Sequence, residues 1–376
     1  MDLAAVAMHA IRSRGRHWPE PAHPYRGEYA RDRDRVIHSR AFRRLEAKTQ
    51  VFTTRYSDHF RNRLTHTLEV AQIARTVAQA LSLNTDLAEA LALVHDIGHP
   101  PFGHAGEARL NELMSEYHDR FDHNLHALRI VEQFERRYLD FPGLNLTFEV
   151  REGIVKHSRD YSLADYPELA EYDLKLHPPI EAQLMNAVDE IAYNSADLDD
   201  GFEARLLRIE MLRAEFPLFT EIYDDLHCRY PTARTKLKIG ETIKRILDLF
   251  ATDLIEETRQ LVSNSGAKDT DEIRRLPQRL AGFSAPMAKI NTELKTFLYR
   301  RLYDNPAIVD ERDRSVDALE QVFRYYMAHP EFMPKHYAEL ARQQPRHRVV
   351  CDYIAGMTDH FLLRQHSELL GATTSI

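Results

Sequence analysis

Apolar residues recur every three or four positions along most of the chain, with polar residues between them. This spacing is typical of amphipathic α-helices that bury one face. In the first helix the predicted core positions are Ile37, Ala41 and Leu45. In the second helix, one side is predicted to carry Leu64, Leu68, Ala71 and Arg75. The predicted helices are centred on residues 26–44, 61–81, 85–94, 104–114, 121–138, 181–198, 239–254, 294–302, 319–326 and 350–361.

One stretch is ambiguous between strand and helix. The alternation of apolar and polar residues from Leu144 to Val150 is typical of a strand. However, Thr147 is a good N-cap, and Ile154 and Val155 continue at helical spacing, so we expect a short extended lead into a helix. Residues 161–179 and 263–271 are predicted loops. Because no stretch has the pattern of a hairpin or a βαβ unit, the sequence predicts an all-α fold.

Composition and charge limit the cellular setting. The 376 residues carry a formal net charge of −8 and only two cysteines, which favours a reducing compartment and excludes a disulfide framework. No apolar run reaches the ~18 residues of a membrane span, and Arg12, Arg14 and Arg16 follow the mildly apolar N-terminus instead of preceding it. We expect a cytoplasmic protein with no membrane partner. The acidic balance argues against nucleic acid as the main partner, although local basic patches can bind phosphates.

The stretch from His95 to Glu107 concentrates polar chemistry. It contains three histidines, an aspartate and a glutamate, together with two prolines and three glycines. Apolar Leu91, Leu93 and Val94 run directly into it, so we expect it to begin at the buried end of a helix. Polar groups there are costly to bury unless they are paired or bind a metal.

Two other residues extend this stretch to a candidate metal site. Adjacent His95 and Asp96 can both turn toward one ion. His66 and Asp189 each lie on a predicted helix among apolar neighbours, where an unpartnered charge would be unfavourable. Two imidazoles and two carboxylates form a mixed site for Mn, Fe, Mg or Zn with open positions for water and substrate. An adjacent His-Asp pair alone is weak support, because most such pairs are surface or capping residues.

These four residues match the ligand pattern of HD-domain metal phosphohydrolases. More narrowly, the chain resembles the deoxyguanosinetriphosphate triphosphohydrolases, bacterial relatives of the human SAM-and-HD-domain dNTPase. The resemblance is close over residues 25–201, looser over 202–345, and returns near the C-terminus. The matching segments are residues 31–39, 41–45, 48–52, 62–75, 95–107, 181–183, 189–194, 197–201 and 352–359.

The resemblance implies a metal-dependent enzyme that splits a dNTP, dGTP or another, into a deoxynucleoside and intact triphosphate. The four candidate ligands would hold one divalent cation, Mn²⁺ or Mg²⁺ first, with Fe²⁺, Co²⁺, Ni²⁺ and Zn²⁺ as the other ions that such ligands accept. The cation would act as a Lewis acid on the α-phosphate or orient the nucleophilic water.

The resemblance also assigns catalytic roles. His104 is the catalytic imidazole and Glu107 its partner, while His99 and His123 are further histidines near the scissile phosphate. Three residues apart on a starting helix, His104 and Glu107 would share a face, and the carboxylate favours the protonated imidazole. That suits a general acid for the leaving 5′-oxygen. The alternative for His104 is a helix N-cap.

Five positions match substrate contacts of the family. Arg63 and Lys156 correspond to cations that hold the triphosphate. Tyr193 would crowd C2′ and exclude a ribose hydroxyl, and Asp197 would accept from the 3′-hydroxyl. Gln50 corresponds to a residue at the base or sugar. Without the resemblance, Tyr193 is a core residue, Asp197 an ion-pair or solvent residue, and each cation a surface residue.

Three further residues have no assigned role. His126 stands where relatives more often have glutamine, so a core or surface histidine is the alternative there. Arg348 and Tyr353 lie near the C-terminal motif and would close the pocket.

Pro19, Pro21 and Pro24 break regular structure, so we expect residues 1–24 to be a flexible N-terminal segment. The resemblance implies that residues 25–201 form the HD-domain catalytic core and that residues 202–376 form a helical C-terminal region that completes the pocket and supplies oligomer contacts. The family forms homo-oligomers, so we expect a tetramer or a hexamer. The expected ligands are the dNTP substrate and, weakly, single-stranded nucleic acid.

Two rival functions share these features. One is another HD-type hydrolase that acts on a nucleoside monophosphate, a cyclic nucleotide or an alarmone. It would use the same metal ligands but has no need for Tyr193, Asp197 and the His104–Glu107 pair. The other is a non-catalytic nucleotide sensor or single-strand binder, which the complete ligand set disfavours.

Overall fold

The computed structural model describes residues 2–51 and 60–371 of the chain. Within these ranges the regular secondary structure is helical, and the β-type pairings are three isolated bridges. The predicted all-α fold is therefore confirmed. The α-helices are α1 (Glu28–Ile37), α2 (Arg40–Arg44), α3 (Arg63–Leu81), α4 (Thr85–Val94), α5 (Gly103–Ser115), α6 (His123–Arg129), α7 (Phe148–Val155), α8 (Ile180–Gln183), α9 (Met185–Glu203), α10 (Ile209–Glu215), α11 (Pro217–Arg229), α12 (Thr235–Ser265), α13 (Thr270–Arg275), α14 (Ala285–Leu298), α15 (Pro306–Ala328), α16 (Lys335–Gln343), α17 (Arg346–Ala355) and α18 (Asp359–Leu370).

The chain forms two compact units, each built from three separate stretches. Unit 1 comprises Met1–Arg33, His66–Leu93 and Thr147–Asn305, and unit 2 comprises Asp34–Thr65, Val94–Leu146 and Pro306–Ile376. The predicted segments 1–24, 25–201 and 202–376 follow the order of the sequence and stay a prediction.

The core of unit 1 lies around the long helices α9 and α12. Helix α12 packs against α9 and α11, and α14 also packs against α9. The inward positions are apolar and fully buried, as Val188 and Leu198 on α9 and Leu254 on α12 illustrate. These helices carry the apolar stripes at helical spacing that the sequence predicts.

The N-terminal segment is packed into unit 1 over its first residues. Leu3 and Val6 are buried, and the Leu3 backbone N–H donates to the Leu81 carbonyl at 3.2 Å. The Met8 N–H donates to the buried Glu181 carboxylate at 2.9 Å. Apolar side chains and a buried acceptor thus contact unit 1 over these first residues.

The core of unit 2 brings the C-terminal helices onto α5. Helix α15 packs against α5, α17 and α18. Leu110 of α5, Leu319 of α15 and Ile354 of α17 are fully buried members of one hydrophobic cluster. Since His104 and Glu107 also lie on α5, this cluster fixes the helix that carries them.

Local boundaries and faces differ from the predictions at several points. Ser39 accepts a hydrogen bond from the Phe42 N–H and caps α2, so the predicted helix over 26–44 is divided in two. Ile37 is 38% exposed and Leu68 is 51% exposed, so neither is a core position. Helix α12 continues to Ser265 into the predicted loop, and Gly266 ends it in the left-handed conformation.

No helix within residues 2–51 and 60–371 has both the length and the apolar character that crossing a membrane requires.

Candidate active site

The loop after α4 enters the core of unit 2 with its polar residues buried. His95 and Asp96 follow Val94 directly and are 3% and 5% exposed. At the far end of the loop, Phe102 and Gly103 both adopt positive φ values of 63° and 59°. This left-handed turn starts α5 and places His104 in its first turn.

Two glycines allow the loop to pack this closely. A Cβ at Gly98 would lie 2.0 Å from the backbone oxygen of His123, and one at Gly106 would lie 1.9 Å from that of Pro101. Both distances are far below van der Waals contact, so a side chain at either position requires the backbone to move. The two glycines therefore allow the short distance between this loop and the backbone of α6, and between the first turn of α5 and the loop.

Asp96 is the centre of a buried charged group in unit 2. Its Oδ2 accepts a hydrogen bond from Arg63 at 2.7 Å, and its Oδ1 lies 3.2 Å from His99 Nε2 and 3.4 Å from His95 Nε2. Burial alone would raise the pKa of Asp96, but the neighbouring charges of His95 and Arg63 hold it well below its ordinary value. These neighbours favour the ionised form of the carboxylate.

Next to this group lies the histidine–glutamate cluster, which comprises His99, His104, Glu107 and His123. Glu107 Oε2 is 3.3 Å from His104 Nδ1, and Glu107 Oε1 accepts from the His123 ring at 2.8 Å and from its backbone N–H at 3.2 Å. The rings of His99 and His123 stack at 4.0 Å between centroids. The structure thus brings all four predicted catalytic residues together within unit 2.

The members of this cluster differ in exposure and charge. Burial would raise the pKa of Glu107, but hydrogen bonds from His104 and His123 hold it well below its ordinary value. Burial and the charge of Arg63 lower the pKa of His99, so its ring is neutral at neutral pH. The side chain of His104 is 80% exposed. It is the member that can reach a bound molecule.

Two predicted metal ligands lie in unit 1. His66 is buried on α3, and its Nε2 lies 2.9 Å from Asp189 Oδ1 on α9. Each side chain holds the other's orientation. An imidazole nitrogen beside a carboxylate oxygen is a donor combination that divalent metals accept.

The two predicted sugar contacts, Tyr193 and Asp197, lie one turn apart on α9. A third residue, Tyr303, contacts Asp197 in the structure. Asp197 is buried and accepts a hydrogen bond from the hydroxyl of Tyr303. Burial, followed by the charge of Glu190, raises the pKa of Tyr193. The sequence offered no signal for Tyr303, because it lies more than a hundred residues away along the chain.

The predicted phosphate-binding Lys156 is fully engaged within unit 1. Its ammonium donates to Glu152 at 2.7 Å, to the Leu176 carbonyl at 2.7 Å and to the Asp173 carbonyl at 3.1 Å. Arg274 also donates to Glu152, at 2.7 Å. A lysine has three N–H donors, so Lys156 would have to exchange a contact to bind a phosphate.

Gln50 and His126 carry buried polar atoms. The side-chain oxygen of Gln50 is buried and has no hydrogen-bond partner among the described residues. His126 lies 3.7 Å from Asp352, and burial lowers its pKa, which fits the core-histidine alternative. Phe52, which belongs to the same sequence motif as Gln50, lies outside the described residues.

The C-terminal motif anchors both the Gln50 segment and the histidine loop, which the sequence did not reveal. Asp359 accepts from the backbone N–H groups of Thr49 at 2.7 Å and Phe102 at 3.1 Å. Buried Lys48 donates to the carbonyls of His99 and Ala355. These contacts join the segment before Gln50, the histidine loop and the C-terminal motif within unit 2. Arg348 is paired with Asp119 instead.

Two family models match the chain. The model of the HD domain matches residues 63–194, and that of a phosphohydrolase-associated domain matches residues 281–368. Among curated proteins, the chain is 45% identical to a deoxyguanosinetriphosphate triphosphohydrolase-like protein of Geobacter sulfurreducens, over 98% of this chain and 95% of the relative. Proteins with the same name in Azoarcus and Bordetella pertussis are 44% and 42% identical, over 98% of this chain and 97% and 96% of theirs.

Proposed function

The chain belongs to the deoxyguanosinetriphosphate triphosphohydrolase-like proteins, a family with the HD phosphohydrolase domain, and on this premise we propose that it hydrolyses dNTPs to a deoxynucleoside and inorganic triphosphate. The observation that carries the proposal is the histidine–glutamate cluster. Its exposed imidazole is held by an ionised carboxylate beside a buried group of metal-type ligands.

We propose that His66, His95, Asp96 and Asp189 hold one divalent cation. Their two imidazoles and two carboxylates fit this role, because mixed nitrogen and oxygen donors suit Mn²⁺ and Mg²⁺ as well as several other first-row ions. Bound there, the ion would supply Lewis-acid stabilisation of charge on the α-phosphate. His66 Nε2 and Asp189 Oδ1 lie 2.9 Å apart, and a bound cation would replace the hydrogen between them. Arg63 orients the carboxylate of Asp96.

In this proposal His104 is the general acid. Glu107 accepts at Nδ1 of His104 and fixes the ring, so that Nε2 can carry the proton for the leaving 5′-oxygen. His123 holds the other oxygen of Glu107 and prevents the carboxylate from rotating away. Neutral His99 stacks on the ring of His123 and would line the site near the scissile phosphate.

The substrate contacts are proposed from the family match and the local geometry. Arg63 carries a buried positive charge beside Asp96 and would attract the triphosphate. Gln50 would contact the base or sugar, and its side-chain oxygen would have to become accessible to do so. Tyr193 and Asp197 would face the deoxyribose, and Lys156 would bind phosphate only by exchanging one of its present contacts.

We also propose a cytoplasmic location, which the low cysteine content favours, and a homo-oligomer of four or six subunits, which the family match alone supports. Light scattering coupled to size-exclusion chromatography measures the second directly.

The decisive experiment incubates the protein with each of the four dNTPs and Mn²⁺ or Mg²⁺ and identifies the products by ion-exchange chromatography. We expect equal amounts of deoxynucleoside and tripolyphosphate, and no turnover of ribonucleotides. Monophosphate with pyrophosphate, or turnover of cyclic nucleotides or alarmones instead, would support the rival hydrolases. Nucleotide binding without any turnover would support a sensor.

A further inference from the structure

A buried ion cluster in unit 1 joins α7 and α13. Glu152 of α7 is fully buried, and Arg274 of α13 donates to both of its carboxylate oxygens, at 2.7 and 2.8 Å. Lys156, which follows the last residue of α7, donates to the same carboxylate at 2.7 Å. Two cations therefore share one buried anion.

The buried members of this cluster carry an excess of positive charge. Lys156 is 7% exposed and Arg274 is 8% exposed, and Glu152 supplies the single negative charge that contacts them. The carboxylate of Asp173 also acts on Lys156, but Asp173 is exposed, so water and salt screen its charge. An anionic ligand beside Lys156 would offset the excess.

The other two contacts of Lys156 are made to neutral oxygens that can be exchanged. Its ammonium donates to the carbonyls of Leu176 and Asp173, and phosphate oxygens form stronger hydrogen bonds with a cation than carbonyls do. The Asp173 carbonyl also accepts from the Leu176 N–H, and the Arg274 carbonyl accepts from the His177 N–H, each at 2.9 Å. The segment that covers Lys156 thus keeps hydrogen bonds that do not involve the lysine.

The carboxylate of Glu152 is the contact that limits such an exchange. A buried charge that loses its only partner is strongly destabilising, and burial raises the pKa of Glu152, as expected for a carboxylate away from water. Arg274 solves this problem, because its guanidinium stays charged and already contacts both oxygens. Arg274 alone can therefore balance Glu152 when Lys156 leaves.

We propose that Arg274 is a positioning residue that keeps Glu152 paired while Lys156 turns its ammonium toward the triphosphate, and that it thereby sets the affinity for this group. The inference rests on the proposed function, which gives Lys156 a phosphate to bind. The sequence offered no signal for Arg274, because it lies more than a hundred residues from Glu152 along the chain.

The test is calorimetric titration with inorganic tripolyphosphate at a fixed excess of Mg²⁺. In Arg274→Gln, transfer of Lys156 to the ligand leaves Glu152 without a cation. The affinity should therefore fall by about 10- to 100-fold, the range for a lost hydrogen bond to a charged group. Arg275→Gln removes an exposed positive charge from the same helix and is the matched control. It should bind tripolyphosphate as wild type does.

The carboxylate variant separates this role from damage to the fold and from direct contact with phosphate. Glu152→Gln removes the charge that holds Lys156 but keeps an oxygen for Arg274, so it should bind tripolyphosphate at least as tightly as wild type. In this background Arg274→Gln should cause no further loss, because no buried carboxylate then needs the guanidinium. Damage to the fold would instead weaken binding in both single variants.

Three results would overturn the inference: unchanged affinity in Arg274→Gln, weaker binding in Glu152→Gln, or the same loss from Arg274→Gln in both backgrounds. Circular dichroism identifies the folded variants. If Arg274→Gln does not fold, Glu152→Gln and the double variant decide, since both should match or exceed the affinity of wild type.

Tripolyphosphate binding also separates this inference from the proposed function. A wild-type protein that binds tripolyphosphate, with the expected pattern among the variants, but does not release it from dNTPs would refute the proposed function alone. A wild-type protein that does not bind tripolyphosphate would overturn the inference.

Discussion

At the scale of single residues, the proposed chemistry depends on how Glu107 is shared between two histidines. It contacts two histidines with its two oxygens, and only His104 of these is exposed. One carboxylate therefore couples a buried scaffold to an accessible imidazole. Loss of the imidazole and loss of the carboxylate should have different consequences, the first for turnover and the second also for folding.

Replacing His104 with alanine should lower kcat by about 10²- to 10⁴-fold, the contribution of a positioned general acid. The side chain is exposed, so the fold should not suffer, and nucleotide binding should persist. Steady-state kinetics and calorimetric binding measure the two effects. His118→Ala removes another exposed imidazole of unit 2 and is the matched control. Full turnover in His104→Ala would refute the proposed role.

Glu107→Gln should make stability less dependent on pH. The ordinary carboxyl pKa is 4.5 and the folded value lies well below it. Below about pH 4.5 the unfolded state therefore binds more protons, and wild-type stability falls with pH. Urea unfolding should show wild type more stable by about 2 kcal/mol at pH 7, with the gap shrinking from pH 5 to pH 3. Exposed Glu112→Gln is the control, and a constant gap would contradict this prediction.

At the scale of elements, the loop from α4 to α5 is held by close backbone approach and by anchors from the C-terminal motif. Gly98 and Gly106 allow the first, while Asp359 provides the second by binding the Thr49 and Phe102 N–H groups. Both constraints restrict the substitutions that the loop can accept. Substitutions there should affect stability and activity together.

Gly98→Ala should destabilise the protein by about 3 kcal/mol, because the new methyl group would collide with backbone atoms of α6. Activity should fall with it, since α6 carries His123. Gly240→Ala is the matched control: nothing lies within 4 Å of its Cβ, and alanine should stabilise the interior of α12 by about 0.5 to 1 kcal/mol. Equal melting temperatures for the two variants would refute the close approach.

The spacing of apolar residues predicted most helices, since periodicity records burial directly. Spacing did not identify the buried face of α3, which is that of Val70 and Val77 and not that of Leu68, because a short helix pattern fits more than one face. It missed the break at Ser39, which depends on one side-chain cap. Neither a single capping hydrogen bond nor the choice of which helix face packs in the fold can be read from the spacing of hydrophobic residues.

The same limit explains what the sequence contributed to the site. Residues close together in sequence, such as His104 and Glu107, were predictable as neighbours on one helix face from helical geometry. Tyr303 and Asp359 were not, because their partners lie on distant segments that only the fold brings together. Family resemblance identified Lys156, but no pattern showed that its donors are already engaged.

At the scale of the whole molecule, a bound ion should stabilise the folded state. If the four proposed ligands hold a cation that the unfolded chain does not bind, Mn²⁺ at a hundredfold excess over Kd adds about 2.7 kcal/mol. Thermal unfolding with and without the ion should show a clear rise in Tm for wild type. His95→Gln should lose this rise, whereas His118→Ala should keep it. An equal rise in all three would exclude the proposed ligands.

The central claim is hydrolysis at the α-phosphorus with release of intact triphosphate. Mass spectrometry of products formed in H₂¹⁸O tests it most directly, because water attack at phosphorus and at C5′ place the oxygen differently. The proposal predicts one ¹⁸O in inorganic triphosphate and none in the deoxynucleoside. Label in the deoxynucleoside, or products other than this pair, would contradict it.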